Sequence, residues 1–233
     1  GENSFPIYVF DPEWLENDLV SDSRKEFVLE SLKDLNRQYV QKNSHLVLLH
    51  GNPVEKISEV EKKGFKLVFN KDSNHFNQER ERKLRNKFNP VSNSPAFDKE
   101  VNRENWGNKI SEWFKSELHD TPEEFENPKL ESEVTLDEIR EEYGINPNQE
   151  KFGEGGTKKA KERLKIFKSS IENYLSSISS PIKAERNTSH LSPYIRYGCI
   201  SPRQVYKQVK SVQEPGDSRS VEMFLDRIVW QQH

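Results

Sequence analysis

Near its C-terminus the chain reads Asn187-Thr188-Ser189-His190-Leu191-Ser192-Pro193-Tyr194-Ile195-Arg196-Tyr197-Gly198-Cys199-Ile200-Ser201-Pro202-Arg203. Thr188, Ser189 and Ser192 put three hydroxyls within five residues, where a loop turns into a predicted helix. Backbone N–H groups at a helix start point beyond it, and the dipole there favours negative charge. Hydroxyls add further donors. The combination suits a phosphate or pyrophosphate, and ordinary helix capping is the alternative reading. A second set of candidates lies on the terminal helix, which starts near Ser218 or Ser220. At about 100° per residue, Val221, Leu225, Ile228 and Val229 form a core face. Phe224, Arg227, Trp230 and Gln231 gather opposite it, and aromatic rings beside a cation and an amide suit a ligand or DNA surface. Tyr174 is either a core residue or a ligand contact.

Composition narrows the classes. Only 32% of the 233 residues are hydrophobic and 32% are charged. The apolar share is below that of ordinary domains, so part of the chain is expected to be extended or poorly buried. The net charge of −3 provides no global positive field, so any DNA contact needs a local basic patch. The single Cys199 excludes an internal disulfide and a multi-cysteine metal site. His45, His50 and His75 lack metal-ligand spacing, and no metal is expected. No apolar run of about 18 residues suggests a transmembrane span, and no signal peptide opens the chain. A soluble, cytoplasmic, monomeric protein is expected.

The elements that must position these residues follow from periodicity. Pro6–Phe10, Leu46–Leu49 and Lys66–Phe69 read as three strands. Between them, Val28, Leu32, Leu35 and Tyr39 make a helical stripe, with Ser23 and Glu26 at capping-box spacing. Asn52 and Pro53 start a second helix carrying Val54, Ile57 and Val60. A charged helix is predicted from about Phe76 to Phe88. This alternation argues a thin parallel α/β sheet over residues 1–90. Its ligand-facing strand ends are Asp11, His50-Gly51 and Asn70-Lys71-Asp72, but no glycine-rich phosphate motif accompanies them. Residues 91–150 read as an interdomain linker with short helices near Trp106–Leu118 and at Leu136, Ile139 and Tyr143. The second of these begins at Thr135 or Asp137 and ends at Gly144. From 151 to 233 the pattern is helical. Ala160, Leu164, Phe167, Ile171 and Tyr174 form one stripe, and Ser201-Pro202 starts a helix with Val205, Val209 and Val212.

The Asn187–Arg203 string followed by Phe224-Leu225-Asp226-Arg227-Ile228-Val229-Trp230 resembles the flavin-binding signature of the photolyase/cryptochrome family. Phe152-Gly153-Glu154-Gly155-Gly156 and Arg163-Leu164 with Phe167 look like the opening of the same flavin domain. Residues 5–88 look like the family's antenna domain without its first strand. Ser132–Leu136 through Gly144 looks most like the archaeal, halophile-type branch. The similarity covers about three quarters of the chain and is weak over 89–130, where the family's fifth strand is not recognisable.

The resemblance implies an incomplete α/β antenna domain followed by the first half of an all-α FAD-binding domain. It implies light-driven electron transfer from reduced FAD to pyrimidine dimers in DNA. The alternative is a cryptochrome photoreceptor that acts through a signalling partner. An antenna chromophore, folate or deazaflavin, is also implied. Carried over, Tyr174 would stack on or bond the flavin nucleotide. Thr188, Ser189, His190, Leu191 and Ser192 would hold the pyrophosphate, and Phe224, Arg227 and Gln231 would lie on the flavin side. Trp230 would lie under an extruded dimer, a suitable role for an aromatic platform. Trp230 and Arg227 are the catalytic candidates. Two departures bear on this. Dimer-repairing relatives carry glutamate where this chain has Arg227, and arginine where it has Gln231. Arginine offers five donors and no acceptor, so it cannot stand in for a carboxyl proton source. Both ends look cut, with the remaining flavin-binding helices expected beyond His233. Residues 1–233 alone are therefore expected to hold FAD poorly.

Overall fold

The computed structural model describes residues 4–65, 67–69, 82–84, 105–147, 153–212 and 218–231. The chain divides into two compact units: residues 1–93 with 121–153, and residues 94–120 with 154–233. The first is an α/β unit and the second is helical among its described residues.

In the α/β unit, β1 (Ile7–Phe10) pairs in parallel with β2 (Val47–His50), Ile7 opposite Val47 and Phe10 opposite His50. Parallel neighbours need a crossover, which α1 (Pro12–Leu15) and α2 (Asp22–Val40) provide. Successive strand side chains alternate faces. Ile7, Val9, Val47 and Leu49 share one face, packed with Val60 of α3 (Pro53–Lys62) and with Leu130, Phe5 and Phe65. Asn52 caps α3 by accepting from the N–H groups of Val54 and Glu55, with Pro53 at the first turn, as its sequence predicts.

The expected third strand is not formed as a strand: residues 67–69 have no ladder partner, and the described sheet has two strands. Leu67 and Phe69 still turn inward against the cluster around Ile57 and Leu84, while Val68 is exposed. The alternation of a strand is present without its hydrogen bonds. Of the expected Phe76–Phe88 helix, only residues 82–84 are described, and they are helical. His75 and Asn70-Lys71-Asp72 lie outside the described residues.

Helix α2 also starts earlier than the Ser23–Glu26 spacing predicts. Ser21 is its N-cap, and Glu26 is buried at 3% exposure. The Glu26 carboxylate instead accepts two bonds from the Arg140 guanidinium, at 3.0 and 3.1 Å. Leu35, placed in the stripe by periodicity, is exposed.

Arg140 belongs to α5 (Leu136–Glu142), whose Thr135 and Glu138 form a reciprocal capping box. Helix α4 (Trp106–Lys115), which precedes it in the chain, belongs to the helical unit. Just before α5, residues 130–133 close the outer edge of β2. Glu133 N–H donates to the Leu48 carbonyl at 2.8 Å and Ser132 Oγ accepts from Leu48 N–H at 3.0 Å. Burial alone would raise the Glu133 carboxyl. Hydrogen bonds from Lys56 and from the His50 N–H, with the Lys56 and Lys63 charges, hold it below its ordinary value.

The helical unit follows α6 (Thr157–Lys168) with a short 3₁₀ turn (Ile171–Asn173), α7 (Tyr174–Ser177), α8 (Pro181–Asn187), α9 (Ser192–Arg196), α10 (Pro202–Lys210) and α11 (Ser218–Trp230). Ala160, Leu164, Phe167, Ile171 and Tyr174 are all buried. The stripe is therefore continuous, but the helix beneath it breaks after Lys168. The Ser169 and Ser170 hydroxyls donate back to the carbonyls of Ile166 and Phe167, a local competition that ends helices. Ser201 and Gln204 form a capping box at α10, whose Val205 and Val209 are buried.

Replacing Arg140 with alanine leaves the Glu26 carboxylate buried and unpaired. Urea unfolding of Arg140→Ala should show a loss of about 2–3 kcal/mol, near the low end for a broken buried pair because the arginine is partly solvated. The double variant Glu26→Met/Arg140→Met should recover most of that loss.

Candidate functional site

The Thr188–Ser192 loop connects α8 to α9. Thr188 ends α8, its N–H and hydroxyl both donating to the Ala184 carbonyl, at 3.0 and 2.7 Å. That hydroxyl is therefore engaged inward as a cap and is not an outward donor. The His190 ring Nε2 lies 2.6 Å from the Glu185 carbonyl oxygen, to which it donates, and 3.3 Å from the Thr188 hydroxyl. His190 itself holds a left-handed φ of 50°, uncommon for a residue with a Cβ. Leu191 is fully buried and pegs the loop into the core. Its N–H donates to Ser189 Oγ at 3.4 Å, which leaves the Ser189 hydroxyl proton free to donate elsewhere. Ser192 is exposed at the first turn of α9.

Two contacts that the sequence does not reveal fix this loop. Arg163 of α6 donates from Nε to the Ser189 carbonyl at 3.0 Å and from Nη2 to the Thr188 carbonyl at 3.2 Å. Asn187 Nδ2 donates to Ser177 Oγ at 3.0 Å, tying the end of α8 to the helix that carries Tyr174. Arg163 flanks Leu164 in the buried stripe, and a cation beside a core position is the one sequence signal that could have pointed to it. Its acceptors are backbone carbonyls and leave no signature.

Tyr174 is buried at 6% exposure. Its ring meets Phe167 with centroids 5.7 Å apart and Phe224 at 5.4 Å, both edge to face, and Phe224 lies 4.6 Å from Phe167. Phe224 is 3% exposed and joins Val221, Leu225 and Ile228 in the core. This corrects its placement on the polar face: it stands three residues after Val221 and four before Ile228, which is the spacing of one helix face. Arg227, Trp230 and Gln231 are exposed on α11, Trp230 at 71%. Ser220 of the same helix donates to the Glu172 carbonyl and accepts from Leu175 N–H, locking α11 against the turn that presents Tyr174. Burial pushes the Tyr174 phenol above its ordinary value, and the nearby Arg227 charge partly offsets this. The structure thus assembles an aromatic cluster with a cation at its edge, and separately a loop held from behind by an arginine.

At the strand ends of the α/β unit, the buried Asp11 caps α1 by accepting from Glu13 N–H. His50 Nε2 lies 2.7 Å from the Tyr143 hydroxyl. Beside β2 a cleft of about 300 Å³ is lined by Leu49, Val60 and Leu130 with Lys56, Lys63 and Glu133 among its charged residues. Among the described residues, no group of His, Cys, Asp and Glu is arranged to hold a metal ion, and no helix is long and apolar enough to cross a membrane.

The family model described as DNA photolyase matches residues 1–95. The chain is 23% identical over 251 residues to the deoxyribodipyrimidine photo-lyase of Halobacterium salinarum, covering 97% of this chain and 52% of that protein. The chain thus resembles the photolyases and cryptochromes in its first 95 residues and in its fold. It is also 25% identical over 253 residues to cryptochrome-2 of Gallus gallus, covering 90% of this chain and 43% of that one. A bacterial class III photolyase from Agrobacterium tumefaciens superposes with a TM-score of 0.72 at 19% identity, over all of this chain and 52% of that chain. That likeness extends the family's fold over both units. The chain spans about half the length of the curated relatives it matches. Photolyases and cryptochromes both match, so the resemblance does not separate repair from light sensing.

A buried phenol held neutral by folding stabilises the fold at all pH values below its unfolded value of about 10, and that stability is lost as pH rises through the higher folded value. Arg227→Gln removes the offsetting cation. It should move the Tyr174 titration further up, read as the phenolate absorbance difference between each protein and its Tyr174→Phe counterpart.

Proposed function

We propose that this chain supplies the diphosphate-holding loop and the substrate-facing helix of an FAD-dependent, light-driven photolyase acting on pyrimidine dimers in DNA. The observation that carries the reading is Trp230, a large aromatic side chain 71% exposed on a helix whose opposite face is anchored in the core. An exposed indole next to a permanent cation, Arg227, suits an unstacked base and its phosphate.

The residues present fit the flavin dinucleotide. The Ser189 and Ser192 hydroxyls are donors suited to a diphosphate. Thr188 and His190 serve as internal ties of the loop. Tyr174, neutral at physiological pH, can offer its phenolic proton or its ring edge. Gln231 adds an amide on the same exposed face as Arg227. Bound FAD would supply light absorption and the transferable electron, chemistry that belongs to the cofactor. The chain's own residues bind, orient and screen charge. Arg227 stays protonated and has no acceptor, so its role toward a dimer is electrostatic and not proton donation.

That same residue favours the second reading, a cryptochrome photoreceptor that does not repair DNA. Ultraviolet-irradiated oligothymidylate, incubated with the flavin-loaded, reduced protein under blue light, separates the two. Light-dependent disappearance of dimers supports the enzyme, and flavin photoreduction with dimers intact supports the receptor. In the repair case Trp230→Ala should weaken binding to dimer-containing DNA by about tenfold or more, the scale of one base–aromatic stack. Its melting temperature should change little, because the indole is exposed.

A further inference from the structure

Arg163 lies on α6, twenty-five residues before the first of the two carbonyls that it holds. Its Nε and Nη2 donors fork onto consecutive main-chain oxygens, those of Ser189 and Thr188. No peptide bond in the described chain is cis. In a trans peptide the C=O and N–H of one unit point in opposite directions. With the Thr188 and Ser189 carbonyls turned toward Arg163, the N–H groups of Ser189 and His190 must face away from it. Neither N–H has an acceptor among the described residues. The other fixed points act in the same sense. Thr188 is tied to Ala184, His190 to Glu185, and Leu191 is sunk in the core.

We propose that Arg163 is a positioning residue for an anionic ligand. By gripping the back of the Thr188–Ser192 loop, it orients two peptide N–H groups and the Ser189 hydroxyl outward as a preformed diphosphate cradle. This rests on the flavin reading above. Arg163 acts through the loop and does not touch the ligand. A planar fork meets two separate carbonyls from two different nitrogens at fixed spacing, whereas the three donors of a lysine ammonium all leave one nitrogen on a flexible stem. The preformed arrangement lowers the ordering cost of binding.

The test compares binding of FAD and of riboflavin, which lacks the diphosphate, to wild-type, Arg163→Gln and Arg163→Lys protein by flavin fluorescence titration. Arg163→Gln should weaken FAD at least tenfold and leave riboflavin unchanged, and Arg163→Lys should recover only part of the loss. Equal weakening of both ligands, no change in either, or full recovery by lysine overturns the proposal. Wild-type residues 1–233 that bind neither flavin agree with the expectation that this stretch alone holds FAD poorly, and leave the flavin reading standing. Loop positioning is then judged by amide hydrogen exchange: faster exchange confined to residues 188–191 in Arg163→Gln sustains it, and unchanged exchange overturns it.

Discussion

Three aromatic rings from three separate segments meet in the helical unit. Phe167 comes from the last turns of α6, Tyr174 from the start of α7 and Phe224 from the middle of α11. Two of the three pairs are edge to face, with interplanar angles of 84° and 88°. Such pairs add about 0.5–1.5 kcal/mol each beyond the area they bury. The positional consequence is the larger one. Once Phe224 is fixed among these rings, the helix period sets where Arg227, Trp230 and Gln231 emerge. Once Tyr174 is fixed, Ser177 and Asn187 set where α8 ends and the loop begins. Removing this cluster would loosen both the loop and the exposed helix end together.

The α/β unit has a different weak point, the outer edge of its short sheet. Parallel strands of four residues make few ladder bonds. An open edge also invites pairing with other chains. Residues 132–133 occupy that edge through the Leu48 backbone. Glu133 also reaches the His50 N–H, at 3.2 Å, and Lys56, at 2.9 Å. One carboxylate thus links a strand, a helix and the covering segment. It is kept ionised by its partners despite partial burial.

Much of this was legible in the residue order. Helix caps at Asn52, Thr135 and Ser201 are local chemistry; Asn52 and Ser201 start helices where the sequence predicts, and Thr135 is one of the two starts it offers. The buried stripe from Ala160 to Tyr174 was legible as a burial pattern, but the helix break inside it was not. Periodicity reports which residues face inward, and Ser169 and Ser170 change the backbone without changing that phase. The Lys66–Phe69 run shows the reverse: its alternation was visible, yet alternation cannot say whether a neighbouring strand offers hydrogen bonds. Phe224 was misplaced because an angular division of the helix treats a position between two core residues as outer. Candidate loop residues were legible by type, whereas the grip of Arg163 was not. It acts on backbone carbonyls, which every residue possesses.

The two units are interleaved along the chain, since α4 belongs to the second while residues 121–153 return to the first. During synthesis from the N-terminus, β2 is made well before the segment that seals its edge. The Leu48 backbone waits more than eighty residues for Ser132. The buried carboxylate of Glu26 waits still longer for Arg140, 114 residues downstream. Helix α4 emerges in that interval with its own partner Tyr206 not yet made. Neither unit can be finished before the other has begun. The order in which the ribosome delivers the chain thus couples the folding of two bodies that are separate in their contacts, and it leaves a half-built sheet exposed during the period when chaperone protection matters most.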